Sequence, residues 1–78
     1  MNIIKEIREQ KGLSQNQMSL ICEVGRQTIC DIESGTRKSL NKRVLQGIDS
    51  LGYNPEEVEE TYHYQRQQQK ENILSSLK

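Results

Sequence analysis

A chain of 78 residues makes one domain, near the lower size limit for folding unaided. With Trp and Phe absent, its core must be a thin layer of Ile, Leu, Val and Met, which leaves no room for a deep substrate pocket inside a scaffold. Eleven basic residues balance eleven acidic ones, so any attraction to a polyanion must come from a local stripe rather than the whole surface.

Ile3, Ile4 and Ile7 recur at helical spacing among charged residues and predict a first helix, stopped by Gly12. Ser14 followed by Gln17 has the spacing of a capping box and predicts a second helix from Gln15 to about Cys22. At roughly 100° per residue, Met18, Ile21 and Cys22 share its inner face, Ser19 lies at the edge and Leu20 points outward. Glu23-Val24-Gly25 is a short break. A third helix starts at Arg26, with Ile29 and Ile32 inward, Gln27, Cys30 and Asp31 outward and Arg26 at the margin; Gly35 ends it. The loop Thr36-Arg37-Lys38-Ser39 is polar and basic. Leu40, Val44, Leu45, Ile48 and Leu51 mark a fourth helix that ends at Gly52. Asn54-Pro55-Glu56-Glu57 combines an N-cap, a first-turn proline and acidic residues at the positive end of the helix dipole, and so opens a fifth. No strand pattern occurs. The chain therefore reads as an all-α domain over residues 1–58. Residues 59–78 form a polar, Gln-rich extension, helical or partly disordered, in which Val58, Tyr62, Ile73 and Leu77 make a sparse stripe interrupted by Gln65 and Gln69. Such a helix is marginal alone and needs a partner surface.

Charge is unevenly spread. Residues 26–43 carry Arg26, Arg37, Lys38, Lys42 and Arg43 against Asp31 and Glu33, a net +3. Residues 53–78 carry Arg66, Lys70 and Lys78 against Glu56, Glu57, Glu59, Glu60 and Glu71, a net −2. Cys22 and Cys30, with the single His63, fit no zinc-site spacing, and no cofactor is expected. Cys22 reads as a small core residue, and Cys30 as a tolerated small side chain on an outer face. With no signal peptide and no apolar run of membrane-spanning length, a reducing cytoplasm with both thiols free is the expected setting. No nucleophile, base and orienting group converge in the sequence, so an enzyme is not expected.

Two short helices joined by a three-residue break, the second polar on its outer face, have the helix-turn-helix arrangement. The run Leu13-Ser14-Gln15, Val24, Arg26-Gln27-Thr28-Ile29 and Ile32-Glu33-Ser34-Gly35 resembles the XRE family, which includes the lambda-type and Cro-type phage repressors. Ile4-Lys5-Glu6-Ile7-Arg8-Glu9 is similar to that family's first helix, and the resemblance covers roughly residues 3–58. It implies a compact five-helix, lambda-repressor-like DNA-binding domain, with the helix from Arg26 lying in the major groove.

On that reading Gln27 bonds an adenine edge through its amide, and Arg26 reads a guanine or clamps a phosphate. Asp31 either accepts from a cytosine amino group or contributes only its charge. The resemblance places Gln15 on a phosphate. Thr28, Arg37, Lys38, Lys42 and Arg43 are further phosphate candidates, with a solvated charge run as the plain alternative. Arg8 and Glu33 occupy positions that family members join in an ion pair, which makes them structural. Three positions depart from the family pattern: Glu23 stands where glycine is usual, Gly25 replaces a Ser or Thr cap, and Gly47 replaces a bulky residue.

The expected function is a sequence-specific transcriptional regulator, a repressor, that binds double-stranded DNA as a homodimer on an inverted repeat, with residues after Val58 as dimer-building material. The competing reading is an antitoxin or a module controlled by a protein partner, for which Leu20 and the polar tail offer surface.

Overall fold

The computed structural model describes residues 2–77. Five helices follow one another: α1 (Ile3–Gln10), α2 (Gln15–Cys22), α3 (Arg26–Ser34), α4 (Lys42–Ser50) and α5 (Pro55–Ser76). No strand occurs among the described residues. None of the helices is long and apolar enough to cross a membrane.

Side-chain caps set most helix starts. Asn2, Asn41 and Asn54 accept from backbone N–H groups in the first turns of α1, α4 and α5. Ser14 and Gln17 form the complete capping box of α2. Gly25 heads α3 with no side-chain bond, so the third helix starts without the support its neighbours have. Leu40, expected inside the fourth helix, lies before its cap and is buried as part of the preceding loop.

The turn between α2 and α3 is closed by Glu23 in the left-handed conformation, at φ 54° and ψ 44°. A side chain there is strained by about 1 kcal/mol relative to glycine. The carbonyl of Glu23 accepts from Arg43 Nη1 at 3.1 Å, which ties the strained turn to α4.

The core gathers Ile4, Ile7, Met18, Cys22, Ile29, Ile32, Leu40, Val44, Ile48, Val58 and Tyr62. α2 packs on α3 and α4, and α1 packs on α3 and α5. The expected inner face of α2 needs a correction: Met18, Ser19 and Cys22 are buried, whereas Ile21 is 37 % exposed. The buried arc centres near Cys22, and at roughly 100° per residue Ile21 then falls at its rim while Ser19 turns inward. Small residues are needed on that side because α4 comes close. A Cβ on Gly47 would stand 2.5 Å from Cys22 Sγ and 3.1 Å from Cys22 Cα. Gly47 is the reason α2 and α4 can touch. Burial pushes the Cys22 thiol pKa up, as suits a packing residue.

α5 crosses residue 58 without a break. Tyr62, beyond that point, is fully buried, and its hydroxyl donates to the Arg37 carbonyl at 2.7 Å. Gln65 Oε1 accepts from the backbone N–H of Ile3 at 2.6 Å. Arg66 Nε donates to the Gly35 carbonyl at 2.8 Å. Gln65, expected only to interrupt the apolar stripe, and its neighbour Arg66 are thus the polar groups that dock the helix. From residue 67 onward every described position is exposed.

Candidate nucleic-acid interface

α3 divides its nine residues between two tasks. Its inner face buries Ile29 and Ile32 completely. Beside them Glu33, with a side chain 6 % exposed, meets Arg8, 14 % exposed, in a two-pronged ion pair. Arg8 Nε lies 2.8 Å from Glu33 Oε2, and Nη2 lies 3.0 Å from Oε1. The third guanidinium nitrogen, Nη1, donates to the Leu13 carbonyl at 2.9 Å. One side chain therefore holds α1, the start of the helix-turn-helix and α3 together. The bond to Glu33 raises the Arg8 pKa above its ordinary value, so the guanidinium stays charged. Losing one partner would leave a poorly solvated charge.

Gln15, in the first turn of α2, joins the same network. Its Nε2 donates to Glu33 Oε1 at 3.4 Å, and its Oε1 accepts from Cys30 Sγ at 3.4 Å. These bonds hold the start of α2 against the middle of α3. The first backbone N–H groups of a helix have no partner within it, so they and the dipole make this a place that favours an anion.

The outer face of α3 is polar. Arg26 and Gln27 are exposed at its first turn. Gln27 Nε2 donates to Asp31 Oδ1 at 2.9 Å, one turn on. Asp31 Oδ2 faces Arg37 Nη2 at 3.9 Å, and the same Nη2 donates to Thr28 Oγ1 at 3.4 Å. Arg37 thus folds back from the loop onto α3. Ser34 and Thr36 hydroxyls both donate to the Asp31 carbonyl, which fixes the exit from the helix. Lys38 and Lys42 are exposed at either end of the stretch that leads into α4. Arg43 is exposed as well, although its guanidinium is engaged with the turn carbonyl of Glu23.

The structure therefore brings Gln27, Thr28, Asp31 and Arg37 into one bonded cluster and links Gln15 to it through Cys30 on the same helix. Arg26 stands next to the cluster. Lys38 and Lys42 flank it, and among the described residues no bond fixes their side chains. Sequence reasoning missed the support beneath the loop. The carbonyls of Gly35, Arg37 and Lys38 accept from Arg66, Tyr62 and again Arg66, the last at 3.5 Å. Arg66 also places a positive charge at the negative end of α3. The only hint in the sequence was an arginine in the α5 stripe, one residue past Gln65. Among the described residues no group of His, Cys, Asp and Glu is gathered as a metal site.

A family model described as helix-turn-helix (HTH_3) matches residues 4–58. No curated protein and no solved structure matches the chain.

Proposed function

Because the chain belongs to the XRE-type helix-turn-helix family of DNA-binding transcription regulators, we propose that it is a repressor that reads an inverted-repeat operator in the major groove. The observation that carries this reading is the outer face of α3. Arg26 and Gln27 stand exposed at the first turn of a helix whose inner face is locked by Ile29, Ile32 and the Arg8–Glu33 pair. A rigid helix with its polar N-terminal residues outward is the geometry by which such helices meet base edges.

Gln27 and Arg26 are assigned to base edges, with Arg26 also in reach of a flanking phosphate. Gln15, Thr28, Arg37, Lys38, Lys42 and Arg43 are assigned to phosphates. They set affinity and salt dependence rather than sequence preference. The local net charge of +3 over residues 26–43 favours this use even though the chain as a whole is neutral.

The size of one such surface and the end of α5 support a homodimer. Val58, Tyr62, Gln65, Arg66 and Gln69, then Ile73 and Leu77, fall within an arc of about 120° on one helix. The first five face the body, while Ile73 is 54 % and Leu77 78 % exposed beyond it. Leu74 adjoins them at 51 %. The occupant that fits is the same apolar end of a second copy, paired across a two-fold axis. Two half-sites about 34–36 Å apart would then match the two recognition helices.

The test is fluorescence anisotropy with duplex fragments from around the protein's own gene, at two salt concentrations, for the wild type and the double variant Arg26→Ala/Gln27→Ala. Tight binding to one fragment, lost in the double variant, is the expected result. Weak, fragment-independent binding that both proteins share would overturn the assignment of α3. Attention would then pass to a protein partner on Leu20, which is 71 % exposed on the outside of α2.

A further inference from the structure

We propose that Asp31 does not read a base but positions Gln27, fixing which way round the Gln27 amide meets DNA. The inference rests on the reading of α3 as the base-reading helix and concerns how one of its readers is made specific.

A glutamine amide has two ends of nearly equal shape and opposite chemistry, an oxygen that accepts and an NH2 that donates. Left free on a surface, it rotates and presents either order. It then satisfies a donor-acceptor base edge and its reverse alike. Asp31 removes that ambiguity. An ionised carboxylate only accepts, so it can hold the NH2 end alone, as in the 2.9 Å bond from Gln27 Nε2 to Asp31 Oδ1. The spacing of four residues puts the two side chains on neighbouring turns of one face. With one Nε2 hydrogen spent on Asp31, Gln27 offers its Oε1 and the other Nε2 hydrogen in a fixed order. Adenine requires that pair in the major groove, donating from N6 and accepting at N7.

The other oxygen of Asp31 is occupied too. Oδ2 faces Arg37 Nη2 at 3.9 Å, and that nitrogen also bonds Thr28 Oγ1. One carboxylate oxygen is thus committed to Gln27 and the other is turned toward the Arg37 cation. The negative charge, which would by itself repel phosphates, is offset by a cation that the loop delivers to it. Exposure ranks the pair the same way: Gln27 is exposed, whereas Asp31 is half-buried, its side chain 34 % exposed. Of the two readings open for Asp31, a base contact or its charge alone, the proposal takes neither and has it act through Gln27.

The full chain is used to select its preferred site from a randomised duplex library. Binding to that site and to all of its single-base-pair variants is then measured for the wild type, Asp31→Asn, Gln27→Ala and the double variant, with thermal melts to confirm that each is folded. An asparagine can donate as well as accept, so it permits the flipped amide. Asp31→Asn is expected to lower the preference for adenine at one base pair by about tenfold, within the range that a bidentate contact discriminates. Its non-specific affinity should be unchanged or higher. Gln27→Ala should lose the same preference at the same base pair, and the double variant should be no worse than Gln27→Ala. Relaxation at a different base pair, undiminished when Gln27 is already alanine, would show Asp31 reading DNA directly and would overturn the proposal. If Gln27→Ala leaves every preference intact, the assignment of Gln27 as a base reader fails and takes this proposal with it, while α3 as the reading helix is tested separately by Arg26→Ala/Gln27→Ala.

Discussion

The two halves of α5 are built on the same helical stripe and behave differently. In the first half the stripe has a body beneath it. Tyr62 fills the core, and Gln65 and Arg66 reach backbone groups of α1 and of the loop after α3. In the second half Ile73 and Leu77 continue the stripe, but the body has ended and both are exposed. The difference lies in what faces the residues, not in the residues' own preference for helix. Polar side chains are the better anchors where backbone carbonyls need donors, and apolar ones remain where only a second surface can cover them.

Three variants would break or sharpen this contrast. Tyr62→Ala removes the largest buried side chain of the docked half and a donor to the Arg37 carbonyl. It should cost about 3–5 kcal/mol, as truncating a buried aromatic does, which denaturant unfolding would read. If it costs less than about 1 kcal/mol, α5 is not docked as described. Arg66→Ala should cost less, roughly 1–2 kcal/mol, because its bonds to the Gly35 and Lys38 carbonyls are partly open to water that can replace them. The paired change Ile73→Glu/Leu77→Glu should leave the stability of the isolated chain within about 0.5 kcal/mol, since both side chains are largely exposed. Sedimentation should nonetheless show it monomeric at concentrations where the wild type is dimeric. A wild type that is monomeric and binds DNA one chain per site would remove the assignment of this end to a second copy.

Much of the fold could be read from local chemistry. The Ser14–Gln17 box, the Asn54-Pro55 start and the stops at Gly12, Gly35 and Gly52 each act within a few residues, so neighbours in sequence were sufficient. Glycines at positions 12, 35 and 52 indeed adopt positive φ. Glu23 carries the left-handed turn where the family resemblance implied a glycine. What escaped was decided between distant segments. Ile21 looked as internal as Met18, and only the approach of α4 at Gly47 turns α2 so that Ser19 goes in and Ile21 goes to the rim. Gln65 looked like an interruption and Arg66 passed unremarked because their partners, Ile3, Gly35 and Lys38, lie 28 to 62 residues away. On α3 a helical wheel places Asp31 outward, yet it cannot tell an outward residue that meets solvent from one already bonded to Gln27 and facing Arg37.

The loop from Gly35 to Lys38 is strung between α3 and the docked half of α5, with three of its carbonyls held from below. The same rod ends in the uncovered Ile73 and Leu77. Whatever grips Arg37 and Lys38 from outside and whatever covers the far end of α5 therefore act on one continuous element. Thermodynamic linkage makes such an effect mutual: any factor by which self-association favours the loop geometry that DNA selects is the factor by which DNA favours self-association. Were both surfaces engaged, a domain of this size would gain in that way a sensitivity to its own concentration that neither surface would have alone.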